Sequence, residues 1–384
     1  MQKVYLDHAA TTPLFPQVVE AMTEFLREHY GNPSSLHSFG REAKAYLEQA
    51  RMDVAALINA SPDNIFFTSG GTESDNIAVL GSAAYTEKKH LITSAVEHHA
   101  VLDICEYLRD QGFSLSVLPV DEHGIVQPQT LQKALREDTF LVSVMHANNE
   151  MGAVNPIREL AQLAHEAGAL FHTDAVQSVG KIEVDVVDMG VDMLTYSAHK
   201  INGPKGVGAL YRREGVDIQR QVHGGGQERK LRSGTENLPG VVGFGVAAAH
   251  TRAIWQDEAK RLRVLRDMFV DEVLRTIPAS RLNGHPSERL PHNANLSFDF
   301  IEGEALLLHL DMQGIACSSG SACSSGSLNP SHVLQAMGLS DNWLHSAIRF
   351  SLGHGVDEQA LHYVLEVLRD KIEFLRKASP FYFG

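Results

Sequence analysis

The chain has 384 residues, 43% of them hydrophobic and 21% charged, and carries a formal net charge of −14. That length exceeds what one hydrophobic core organises, so two domains are expected, with apolar material enough for both. The acidic balance, 33 Lys and Arg against 47 Asp and Glu with no dense basic run, disfavours direct contact with a nucleic-acid backbone.

In chain order, MQKVYLDHAATTP opens without the apolar core of a secretory leader, so a cytoplasmic protein is expected. Residues 16–29 and 38–58 read as helices joined by the turn-rich YGNPSS. From residue 64 onward, short apolar runs alternate with amphipathic segments. The runs 65–68, 90–94, 114–118, 140–145, 170–173, 193–196 and 207–211 read as strands. They are continuous rather than alternating, as strands buried on both faces are. Helical patterns such as 100–111 and 157–167 lie between several of them. This βαβα rhythm predicts an α/β fold with a mostly parallel seven-stranded sheet covered on both sides. The longest nearly apolar stretch, 241–249, is too short to span a membrane. After residue 260 come a long helix, a strand near 295–298, a helix around 304–312, a strand around 347–352 and a final helix at 357–377. Residues 15–260 are therefore assigned to a large domain, and 1–14 with 261–384 to a smaller α+β domain.

Chemistry-bearing residues gather where these strands end. FTSGGTESDN ends a strand in Gly70-Gly71 and opens a helix at Thr72. Glycines permit close backbone approach, and the free N–H groups of a helix start favour an anion. Taken alone, the same segment reads equally as a strand–helix turn with a Thr cap. VEHHAV puts His98 at a strand end, where an imidazole can stack on a ring and move protons. HANNE does the same for Asn149. In FHTDAVQS, Asp174 lies just past a strand and can pair with a pyridinium N–H, or instead cap the next helix. Gln177, one turn on, can reach a neighbouring phenolic oxygen.

YSAHKINGPKGVGALY sets Lys200 between two apolar strands. Schiff-base formation suits a lysine with such flanks, since a buried amine of lowered pKa is nucleophilic; the alternative is a surface lysine in a hairpin. Ser197 and His199 can donate to a phosphate. The GPKGVG run leads into a strand rather than a helix, so it is not a dinucleotide fingerprint. Last comes GIACSSGSACSSGSLNPS, a Gly/Ser-rich loop (about residues 317–330) that carries Cys323. A cysteine on such a loop reads as reactive. Cys317 reads as a buried strand end and Cys105 as core. Three cysteines make no disulfide framework, and no Cys/His spacing matches a structural zinc site. A lysine, a pyridine-nitrogen partner, a ring-oxygen donor and phosphate donors converge on pyridoxal 5′-phosphate (PLP).

The chain resembles the cysteine desulfurases of the NifS/IscS type, in the class V aminotransferase branch of the fold-type I PLP-dependent transferases. The likeness runs nearly end to end through YLDHAATTP, GNPSS, TSGGTESDN, EHHAV, NNE, DAVQ, SAHK, RSGTEN, SSGSACSSGS and IRFSLG, above all SAHK followed by SSGSAC. It implies that Lys200 carries PLP, that Asp174 partners the pyridine nitrogen and that Gln177 donates to the ring oxygen. His98 would stack on the ring and Asn149 would contact cofactor or substrate. Gly71, Thr72, Ser197 and His199 would hold the phosphate, with Thr235 supplied by the second subunit of a homodimer. Arg349 would clamp the substrate carboxylate, and Cys323 would accept the sulfur of L-cysteine as a persulfide, releasing L-alanine. The compact SSGSAC loop looks like the group I form. Cys317 receives no role from the likeness. A sulfur-acceptor protein, such as an iron–sulfur scaffold or a relay protein, is implied as partner; tRNA thiolation and DNA phosphorothioation use similar donors. A selenocysteine lyase or a class V aminotransferase would also keep Lys200 and Asp174, but neither explains Cys323 on its loop. A non-catalytic scaffold would lose the lysine, the pyridine partner or the nucleophile, and all three are present.

Overall fold

The structure is a computed structural model that describes residues 2–319 and 330–379; Cys323 and most of the 317–330 loop lie outside the described residues. The large sheet has seven strands, β1 (Ile65–Thr68), β2 (His90–Ser94), β3 (Ser114–Leu118), β4 (Thr139–Ser143), β5 (Leu170–Asp174), β6 (Met193–Ser197) and β7 (Gly208–Arg212). Across the sheet they run β1-β7-β6-β5-β4-β2-β3. β7 is antiparallel to both its neighbours, and every other pairing is parallel. Two antiparallel pairings in succession leave β1 pointing with the parallel set. Six strands therefore deliver their C-terminal ends to one edge, where the ligand groups of α/β sheets gather.

The seven apolar runs of the sequence are these seven strands. β3 departs from the expectation of burial on both faces: it is an edge strand, with Ser114 and Ser116 half-buried and Val117 48% exposed. Alternate residues of the inner strands feed two separate cores. Phe66, Leu91, Leu141, Met193 and Leu210 face one layer of helices, while Phe67, Ile92, Val142, Phe171, Leu194 and Tyr196 face the other. The covering helices show why they fold. His99–Asp110 buries Val101, Ile104, Cys105 and Leu108, and Ile157–Glu166 buries Ile157, Leu160, Ala161 and Ala164, the spacing of one helical face.

A second core gathers around an antiparallel sheet ordered Ala347–Ser351, Asn293–Phe298, Ser280–Asn283. The Gly303–Asp311 and Glu358–Ala378 helices cover it, burying Leu306, Leu361 and Leu368 against Leu296, Ile348 and Phe350. Val4 and Leu6 join this core from the other end of the chain. The helix expected after residue 260 in fact starts at Leu238 and runs 39 residues to Thr276, so the boundary drawn at residue 260 falls inside it. Its first part packs in the core of the large sheet and its last part in the second core. Small residues permit the first contact: a Cβ on Gly245 would lie 2.7 Å from the Cα of Ala50. No described helix is long and apolar enough to cross a membrane.

After β7 the chain passes through three consecutive non-glycine residues of positive φ, Glu228, Arg229 and Lys230, at 43°, 53° and 70°. The left-handed region is disfavoured for such residues, so something must hold the turn. Glu228 does so. Its buried carboxylate accepts from Arg51 Nη1 at 2.8 Å and Nη2 at 2.9 Å, and from the Phe67 backbone N–H at 2.8 Å. Replacing one partner of a buried pair strands the other charge, so Glu228→Gln is expected to destabilise the fold by about 3 kcal/mol in urea unfolding at neutral pH. A loss below about 0.5 kcal/mol, within the range of ordinary surface substitutions, would show that other contacts hold the turn.

Candidate active site

β5 ends at Asp174, which is 7% exposed and whose Oδ1 accepts from the Val176 backbone N–H at 2.8 Å. It thus caps its own turn as well as standing at the strand edge. Burial pushes its carboxyl up, while the Val176 N–H, His98 and Lys200 pull it down. Burial wins on balance, so the carboxyl is raised above the usual carboxylate range, and a cationic ring N–H beside it would favour its ionised form.

β6 runs straight into a single 3-10 turn, Ala198–Lys200. Lys200 Nζ donates to the Ala9 carbonyl at 2.6 Å and the Ala10 carbonyl at 2.7 Å, and Gln177 Nε2 donates to the same Ala9 oxygen at 2.9 Å. The N-terminal segment therefore crosses the ends of β5 and β6. Thr12 fixes it there: its N–H and hydroxyl both donate to the His199 carbonyl, and its hydroxyl accepts from Asn202 N–H at 2.8 Å. His199 Nδ1 lies 3.2 Å from Thr11 Oγ1. Burial, then Lys200 and Lys205, lowers the His199 pKa to about 4, so it is a neutral ring with a single N–H to donate.

β1 leads through Gly70-Gly71 into the Gly71–Tyr85 helix. The cap residue is Gly70, not Thr72, and no side chain among the described residues caps this end. The first-turn N–H groups are thus left for an anion, with Thr72 exposed beside them. The approach is tight: a Cβ on Gly71 would lie 2.9 Å from Val176 Cγ2, and one on Gly208 2.7 Å from the Gly70 Cα. Ser197, 4% exposed, ends β6. After β2, His98 caps the His99–Asp110 helix, its Nδ1 accepting from Ala100 N–H at 3.1 Å, which places the proton of the neutral ring on Nε2.

Beyond β4, Asn148 pins the turn by accepting from Glu150 and Met151 N–H groups, and Asn149 stands half-buried at the edge. The Asn149 carbonyl accepts from Arg349 Nη1 at 2.8 Å. Arg349 is 2% exposed, and its Nη2 donates to Asp7 Oδ1 at 2.8 Å. Its Nε is buried and has no hydrogen-bond partner among the described residues. Both described flanks of the Cys323 segment attach here. Ser318 exchanges backbone hydrogen bonds with Arg349, and Ser331 Oγ donates to Glu150 Oε2 at 2.6 Å. Cys317 is half-buried, and burial pushes its thiol up; Cys105 is fully buried, its thiol pushed up to about 12. Thr235 is exposed, and no hydrogen bond among the described residues ties it to this cleft.

The structure thus brings Lys200, Asp174, Gln177, His98, His199, Ser197 and the Gly71 helix start to one edge, with Asn149 and Arg349 facing them. It adds groups that the sequence reading did not assign: Asp7, the Ala9 carbonyl and Glu150. Asp7 stands inside YLDHAATTP, but a backbone carbonyl leaves no residue-type signal. A buried carboxylate, an amine and an uncapped helix start fit PLP: Asp174 would hold the ring N–H, Lys200 the aldehyde carbon and the Gly71 region the phosphate.

The chain matches the aminotransferase class-V family over residues 4–364. It is 53% identical over 382 residues to the cysteine desulfurase IscS of Dictyoglomus turgidum, covering 99% of this chain and 97% of that one. Among solved structures it is similar to a NifS-like protein, with a TM-score of 0.92, 39% identity and coverage of 97% of this chain and 100% of the other. A structure described as SspA in complex with cysteine gives a TM-score of 0.80 at 36% identity, covering 91% and 98%.

Asp7 is the counter-charge of the buried Arg349 and is itself partly exposed, so Asp7→Asn is expected to cost about 2 kcal/mol, below the full penalty of a buried pair. Urea unfolding measures it. An unchanged midpoint would show that the Asn149 carbonyl suffices to hold the guanidinium.

Proposed function

Because the chain belongs to the class-V aminotransferase family, and is a PLP-dependent cysteine desulfurase by its likeness over nearly its whole length to enzymes of that name, we propose that this cleft takes the sulfur of L-cysteine onto Cys323, leaving L-alanine. The observation that carries this is the placement of the Lys200 amine and the buried Asp174 carboxylate on adjacent strand ends, with Thr195 the register partner of Asp174 and Lys200 one turn beyond β6.

When bound, PLP supplies the electron sink that makes the substrate Cα–H acidic. The chain's own residues do the rest. Asp174, as an anion, holds the ring N–H and keeps it protonated. Gly71, Thr72, Ser197 and His199 receive the phosphate, and Thr235 of a second subunit in a homodimer completes that set. His98 covers the ring face, with its Nε2–H turned away from the helix it caps. Gln177 exchanges the Ala9 carbonyl for the ring oxygen. Lys200, released from the Ala9 and Ala10 carbonyls, takes the Cα proton and returns it. Asn149 and the unused Nε–H of Arg349 receive the substrate carboxylate. The Cys323 thiolate then attacks the substrate sulfur; the S–S bond forms as the Cβ–S bond breaks, and the electron pair stays with the carbon skeleton that becomes alanine. The persulfide passes to a sulfur-acceptor protein in the cytoplasm, with iron–sulfur cluster assembly as the destination we assign.

Purified protein given L-cysteine and a reductant is expected to release alanine and sulfide in equal amounts. Lys200→Ala and Cys323→Ala are each expected to lose both products, while Cys323→Ala retains the visible absorbance of bound PLP. A keto acid without sulfide would identify a transaminase instead. Normal sulfide release by Cys323→Ala would remove Cys323 from the mechanism.

A further inference from the structure

The helix start that would receive the phosphate carries an acid in its own first turn. Glu73 follows Thr72 on the Gly71–Tyr85 helix, where the Ser74 N–H bonds back to the Gly70 carbonyl at 3.2 Å. An anion in the first turn suits a helix by itself, because it meets the positive end of the dipole. It does not suit a helix start that must also take a phosphate, since two anions then share one positive end and repel each other. The Glu73 carboxylate is ionised all the same. Burial raises it, but the bonds from Arg232 and Ser69 outweigh burial and hold it below the usual carboxylate range.

The geometry resolves the conflict. Glu73 Oε2 accepts from the Ser69 backbone N–H at 2.6 Å, which closes the turn through Gly70 in the manner of a capping box. Its Oε1 accepts from Arg232 Nε at 2.9 Å, with Arg232 Nη2 3.5 Å from Oε2. The Glu73 side chain is 17% exposed and that of Arg232 25%, so salt screens this pair less than a surface pair. Among the described residues Glu73 forms no other ion pair. Arg232 comes from a firmly held backbone. Leu231 before it is buried in the core that takes Ile77 and Ala78 of the same helix. Val222 pairs with Arg232 across a bridge, and Ser233 Oγ donates to the Gly225 carbonyl at 2.8 Å. The loop that carries Thr235 thus delivers one positive charge to the one acid of the first turn.

We propose that Glu73 and Arg232 are a positioning pair for the cofactor phosphate: Glu73 holds the turn from Ser69 to Gly71 in the shape that leaves the helix N–H groups open, and Arg232 cancels the charge that Glu73 would otherwise set against the phosphate. The proposal rests on the PLP site described above, and neither residue needs to touch the cofactor. An acid shapes the cup, and an arginine removes the repulsion that the acid brings.

The test compares PLP with pyridoxal, which lacks the phosphate, as each is titrated into the full-length protein and followed by visible absorbance. Arg232→Gln leaves the Glu73 charge uncancelled and is expected to weaken PLP about tenfold while pyridoxal stays within about twofold of wild type. Adding Glu73→Gln removes that charge and keeps an amide oxygen for the Ser69 N–H, so the double variant is expected to bind PLP within about threefold of wild type. Glu73→Gln alone leaves the Arg232 charge beside the phosphate and is expected to tighten PLP about threefold, a sign that carries the test even where Arg232→Gln does not fold. A purely structural clasp gives the opposite pattern. Equal losses of PLP and pyridoxal in Arg232→Gln, no recovery in the double variant, or weaker PLP in Glu73→Gln would each overturn the proposal. Thr72→Ala tests the underlying site separately. Weaker PLP there with Arg232→Gln unchanged would overturn the pair alone, whereas unchanged PLP in both would place the phosphate elsewhere and overturn both readings.

Discussion

A carboxylate buried at a strand end needs positive charge or hydrogen-bond donors around it, and Asp174 imposes that demand on the whole cleft. The Val176 N–H meets part of it, and Lys200 and His98 lie close enough to lower its pKa. The sheet makes this meeting possible. With β7 as the single reversed strand, β1, β2, β4, β5 and β6 all end at the same edge, and each contributes one functional group or one anion-receptive helix start. No single strand end carries the chemistry: burial raises the Asp174 carboxyl on balance, and Val176, His98 and Lys200, which come from three different segments, each pull against that rise.

The second constraint is the crossing of residues 5–13 over that edge. Val4 and Leu6 are buried in the second core, while Ala9 to Thr12 are bonded to Lys200, Gln177 and His199 of the large sheet. Between them Asp7 pairs with Arg349, whose guanidinium also reaches Asn149. The nine residues from Val4 to Thr12 thus tie the second core to the large sheet and to the site. The carbonyls of Ala9 and Ala10 hold the Lys200 amine by hydrogen bonds that a cofactor aldehyde bound there would displace, so the segment restrains the amine without neutralising it.

The large sheet was legible because strands buried on both faces leave continuous apolar runs, and all seven runs proved to be strands. Edge strand β3 was found despite its exposure because Leu115, Val117 and Leu118 are apolar enough to mark a run. The two-residue ladder of Val4–Tyr5 with Ile315–Ala316 was not legible, since so short an element has no period to detect. The start of the long helix at Leu238 was missed for another reason. Its Gly243, Gly245 and Ala247–Ala248 stretch is buried on most sides, so it shows no polar face and reads as an apolar run rather than as amphipathic helix. Lys200, Asp174, Gln177 and His199 were legible as residue types at strand ends. The Asp7–Arg349 pair, 342 residues apart in the chain, and the Ala9 carbonyl needed the fold, because neither separation nor backbone position is written in a residue's identity.

The ionisation pattern around the cleft follows from the same demand. His8, His146 and His199 are all held near 4 by burial, and His172 near 3, so at neutral pH none of these rings adds a charge. Glu97 is raised to about 8 and is a neutral acid there as well. Among the described residues of the cleft, Asp174, Lys200 and the Asp7–Arg349 pair are the charged groups to which the proposed function gives work. In a low-dielectric site every additional fixed charge would act on the reacting atoms over several ångströms, and would have to be compensated in the proton transfer proposed for Lys200. Neutral histidines and the protonated Glu97 around Asp174 lighten that burden. The field at the reacting carbon is then set by a few groups whose positions the sheet edge already determines.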